Sequence, residues 1–90
     1  MTPEQEMVFS ALARGRLIFP FRAELKELRA QSKAGPLIGG EAERLADLEA
    51  GFKEIIIKDK WFHSAMEGGD TKTARKYAEE AKEICADLAG

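Results

Sequence analysis

The sequence predicts an all-α protein: a small bundle of about four helices, at approximately 3–14, 20–33, 40–67 and 71–88, in one domain spanning residues 1–90. Three observations carry this reading. Apolar residues recur at spacings of three and four in successive segments, each segment ends at a glycine or a Gly-Pro pair, and no stretch alternates apolar with polar for long enough to make a strand. A chain of this length buries only about 60–65% of its unfolded surface, so stability should be modest and dimerisation is one way to complete the core.

The first helix begins with Thr2 and Gln5 in capping-box spacing, with Pro3 at the first helical position. Its stripe is Met7, Val8, Ala11 and Leu12, and Gly15 supplies a C-terminal stop after Arg14. Pro20 suits the first turn of the second helix, whose stripe is Phe21, Leu25 and Leu28 and which Gly35-Pro36 terminates.

The third segment has the strongest pattern. Leu45, Leu48, Phe52, Ile55, Phe62 and Met66 keep near-heptad spacing, and Ile56, Ile57 and Trp61 widen the apolar arc, which predicts a central helix. Three consecutive isoleucines favour a strand locally, but their flanks are helical in pattern. Gly51 weakens the helix by about 1 kcal/mol relative to alanine, and its missing side chain lets a neighbouring helix come close. Gly68-Gly69 ends the segment. Asp70 caps the fourth helix, with its stripe of Ala74, Tyr77, Ala78, Ala81, Ile84, Cys85 and Leu88.

Composition narrows the function classes. The chain is 44% hydrophobic and 33% charged with a formal net charge of −2, the balance of a folded protein and not of a strongly basic or acidic binder. No apolar run reaches the roughly 18 residues of a membrane span, and the acidic opening Met-Thr-Pro-Glu-Gln-Glu is unlike a signal peptide, so a cytoplasmic chain is expected. The lone Cys85 lies on an apolar stripe between Glu83 and Asp87, which suits a buried structural thiol and not a nucleophile.

Charge is nonetheless unevenly laid out. Residues 13–33 hold six basic and two acidic side chains, and residues 41–90 hold eight basic and twelve acidic. Arg22, Lys26, Arg29 and Lys33 fall along one face at spacings of four, three and four, preceded by Arg14 and Arg16. Such a face is a solvated helix surface, a seat for an acidic protein, or a track for a phosphate backbone. Glu24 and Glu27 interrupt the track, and no helix-turn-helix pattern accompanies it. Glu80, Glu83 and Asp87, with Glu79 alongside, make an acidic counterpart on the last helix, able to orient two helices or two chains.

Asp59, His63 and Glu67 lie four apart and could face one way, but three ligands on one helix with no second histidine make an incomplete metal site. No phosphate loop and no nucleophile–base pattern is evident, so neither catalysis nor a cofactor or metal is expected. The remaining signal is an excess of large apolar side chains. The run Gly15–Phe21 carries Leu17, Ile18, Phe19 and Phe21 around Pro20. These side chains either plug the end of the bundle or project from it. With Phe19, Phe21, Ile57, Trp61 and Phe62 competing for so small a core, a contact patch is expected, with Ile18 inside and Phe19 or Trp61 at the surface. The expectation is a protein–protein interaction module (an adaptor, inhibitor or regulatory subunit) with an apolar patch and a charged rim. Its partner is another protein or a second copy of itself, with nucleic acid on the basic face as the alternative and no membrane.

Overall fold

The computed structural model describes Pro3 and residues 16–90. They form an irregular segment over 16–19, a turn at Pro20–Phe21, and three helices, α1 (Arg22–Ala34), α2 (Glu41–Glu67) and α3 (Thr71–Ala89). The described residues are 79% helical and contain no strand, so the fold is all-α. They hold three helices, not four: the expected 3–14 helix lies outside them except for Pro3, which is helical. No helix among them is long and apolar enough to cross a membrane.

Helices α2 and α3 make the principal pair. On α2 the buried positions Leu48, Ile55 and Phe62 follow one another at intervals of seven, with Gly51 buried between the first two. On α3 the buried positions are Ala74, Ala78, Ala81, Cys85 and Leu88. Three alanines allow the two backbones to approach, and Gly51 does the same from the other side. A Cβ at Gly51 would stand 2.7 Å from Leu88 Cδ1 and 3.6 Å from Ile84 Cγ2. The absent side chain is thus filled by the end of α3.

The corner between these helices is made by three residues. Gly69 takes φ +75°, its N–H donates to the Met66 carbonyl at 3.2 Å, and the Asp70 N–H donates to the Ala65 carbonyl at 2.9 Å, the paired bonds of a Schellman ending. Asp70 then starts α3. Its carboxylate accepts the Thr73 N–H at 3.1 Å and the Thr73 hydroxyl at 2.6 Å. Those two bonds, the hydroxyl's first, hold the Asp70 carboxyl below the usual aspartate range. One residue therefore closes one helix and opens the next.

Of the two readings of the Gly15–Phe21 run, burial within the bundle holds for Leu17, Phe19 and Phe21. Burial alternates along residues 16–21. Leu17, Phe19 and Phe21 enter the core, and Ile18 and Pro20 stay partly exposed. Ile18, expected inside, stays partly exposed, and of Phe19 and Trp61, one of which was expected at the surface, Phe19 is buried and Trp61 is half exposed. The Phe19 ring sits 5.8 Å from Phe21 and 5.3 Å from Phe52 of α2. Asp59 of α2 pins the segment by accepting the Leu17 N–H at 2.7 Å, an otherwise unpaired backbone donor.

Helix α1 contributes Leu25 and Leu28 to the core. It begins after Phe21, whose carbonyl accepts the Leu25 N–H at 3.0 Å, so Pro20 lies in the preceding turn and not within the helix. Two ion pairs tie α1 to α2: Glu24 with Arg44, and Arg29 with Glu49 at 3.2 Å.

Candidate functional site

An interaction surface needs exposed apolar groups held in place, and α2 supplies them. Ile57 lies nine residues beyond the buried Leu48; at about 100° per residue it points away from the core. Trp61 is one turn further on the same outer face. Ile57 is 44% and Trp61 49% exposed. The Trp61 ring leans on Tyr77 of α3 at 5.6 Å, with Lys58 Nζ 5.5 Å from its centroid and Lys58 itself paired to Glu80 at 3.1 Å. A tryptophan braced by a second ring and a cation loses little rotamer freedom when a partner covers it.

The other two apolar candidates are corrected. Phe19 and Phe21 are 6% and 7% exposed and belong to the core. Burial alternates along 17–21 and turns both inward, whereas both were expected at the partner surface. Ile56 takes their place at the surface, 43% exposed on the flank of α2 that faces the 16–19 segment.

The basic candidates stay outside. Arg16, Arg22, Lys26, Arg29 and Lys33 are exposed, and Arg14 lies outside the described residues. They do not act as one uniform stripe. Arg29 is committed to Glu49 and lies 5.8 Å from the Phe52 ring centroid, and Arg16 Nε is 3.8 Å from Asp59 Oδ2. Compared with protein-family models, curated proteins and solved structures, the chain matches none. The reading of the surface therefore rests on its own chemistry.

The acidic face of α3 is partly used within the chain, through Glu80 to Lys58 and Glu79 to Lys82 at 3.8 Å. Of the three residues at metal-ligand spacing, Asp59 anchors Leu17 and His63 Nε2 lies 3.1 Å from Glu67 Oε1. Among the described residues no group of three or more His, Cys, Asp or Glu side chains converges on one point. Cys85 is buried on α3.

Arg44 was missed by sequence reasoning. Its guanidinium reaches Glu24 with two nitrogens, donates to the Leu88 carbonyl with the third, and lies 5.4 Å from the Phe21 ring centroid. The Arg44 hydrogen bond holds the Glu24 carboxyl below the usual glutamate range, against a smaller opposing effect of burial, and Glu24 in turn raises Arg44. The signal in the sequence was the interruption itself: Glu24 breaks a basic run because it has a partner elsewhere.

Proposed function

We propose that the protein is a small helical interaction module that binds another protein through the outer face of α2. The observation that carries this is the braced, half-exposed Trp61 beside Ile57. Tryptophan is enriched among residues that dominate binding energy, and a side chain already held in one orientation makes the better anchor. Lys58 and Glu80 beside it supply charged groups able to orient a partner. The role is that of an adaptor, inhibitor or regulatory subunit.

The test is capture of partners from the native host on immobilised wild-type protein, on Ile57→Ser/Trp61→Ala, and on Arg22→Glu/Lys26→Glu. A partner retained by the wild type and by the charge-reversed protein, but lost from the α2 variant, supports the reading. Capture unaffected by Ile57→Ser/Trp61→Ala overturns it. A captured species that is nucleic acid, released by moderate salt and lost with the charge reversal, would transfer the function to the basic face of α1.

A further inference from the structure

A second exposed feature lies about half a turn round α2 from Trp61, where the 16–19 segment packs on the helix. It is a groove whose walls are Leu17, Ile18 and Phe19 on one side and Phe52, Ile55 and Ile56 on the other, with Arg16 and Arg22 at its rim. An adjoining hollow continues past Arg16 to Lys60 and His63. The groove's exposed apolar groups are chiefly Ile18 and Ile56. Its one acidic group, Asp59, is occupied by the Leu17 N–H at 2.7 Å and lies 3.8 Å from Arg16 Nε. Among the described residues no acidic side chain pairs with Arg22 at the rim or with Lys60 in the adjoining hollow, so the cations there outnumber the one carboxylate, Asp59.

We propose that this groove docks an acidic amphipathic helical segment of a partner protein. Apolar side chains at spacings of three and four would cover Ile18 and Ile56, and carboxylates on the flanks of the same helix would meet Arg16, Arg22 and Lys60. Charge complementarity selects this occupant. A basic helix would set its cations against three others. A nucleic-acid backbone would satisfy the rim but leave Ile18 and Ile56 uncovered. The site is separate from the Trp61 face and does not depend on it.

The probe is a synthetic helical peptide of about 14 residues, long enough for four turns, with leucines at i, i+3, i+4 and i+7 and glutamates on both flanks. A control peptide carries lysines in place of the glutamates. Titration of isotope-labelled full-length protein should move the backbone amide signals of Ile18, Phe19 and Ile56 saturably with the glutamate peptide and not with the lysine peptide. Affinity should fall about tenfold in Arg22→Glu, a change at an exposed position whose fold is checked by its melting curve, and should fall again as salt rises and screens the pair. Trp61→Ala should bind the peptide as the wild type does, which separates this outcome from the test of the α2 face. Equal binding of both peptides, shifts centred on Trp61, indifference to Arg22→Glu, or binding of a DNA duplex with no binding of the glutamate peptide would each overturn the proposal.

Discussion

Arg44 holds Glu24 with a two-pronged hydrogen bond, Nε to Oε2 at 2.7 Å and Nη2 to Oε1 at 3.0 Å, while its third nitrogen caps the Leu88 carbonyl. One side chain thereby joins α1 and the end of α3 to the start of α2. The planar fork matters because lysine cannot offer three fixed donors. Arg44→Lys should lower stability almost as much as Arg44→Ala, by about 1–2 kcal/mol, and Glu24→Gln by less; the groups are a third to two-fifths exposed, so the value is held below that of a buried pair. Urea melts of the three variants check the order, and a fully stable Arg44→Lys would show that a point charge is enough.

The same pair gives the protein an acid-sensitive joint. Glu24 and Asp70 both have carboxyls lowered in the folded state, by Arg44 and by Thr73 respectively. A lowered carboxylate stabilises the fold above its unfolded pKa, and that contribution disappears as pH falls through the folded value. Stability should therefore be flat near neutrality and decline below about pH 4, the ordinary range of such groups. Glu24→Gln should flatten part of that decline. Melting temperatures measured between pH 3 and pH 7 on both proteins decide it, and identical slopes would remove Glu24 from the account.

Gly51 sets two effects against each other. Alanine there would gain about 1 kcal/mol of helix propensity but press on Leu88 Cδ1, the flexible end of a side chain near the last turn of α3. Gly51→Ala should stay within about 1 kcal/mol of the wild type, since that methyl can swing aside. Gly51→Leu has no such escape and should cost about 1–3 kcal/mol by overpacking. Chemical denaturation of the two variants reads both signs.

Phe19 and Trp61 should behave oppositely although both are large aromatics. Phe19→Ala opens a hole beside Phe21 and Phe52 and should cost about 3–5 kcal/mol, enough to unfold a marginal domain. Phe19→Leu, which keeps most of the volume, should remain folded and give a measurable melt. Trp61→Ala removes only a half-covered ring and should cost about 1 kcal/mol through lost contact with Tyr77. A Phe19→Ala protein as stable as Trp61→Ala would contradict the inward alternation of the 16–21 segment.

The helical class and its punctuation belonged to the sequence alone. Seven-residue spacing of Leu48, Ile55 and Phe62, the alanines of α3, Gly68-Gly69 and the Asp70 cap are local signals: each acts through its own backbone or within one or two turns, so they could be read without knowing what packs where. Even Gly51 declared a close approach, though not that Leu88 would be what approaches. The tertiary structure decided which aromatic faces out. Phe19 and Trp61 are both large apolar residues in apolar stretches, and only the path of residues 16–19 against α2, fixed by the bond from Leu17 to Asp59 forty-two positions away, turns Phe19 inward and leaves Ile56 and Ile57 uncovered. Arg44 was illegible for the same reason. Its worth lies in a carboxylate 20 positions before it and a carbonyl 44 after it, and the energy of such contacts depends on where the chain brings them together and not on any spacing along it.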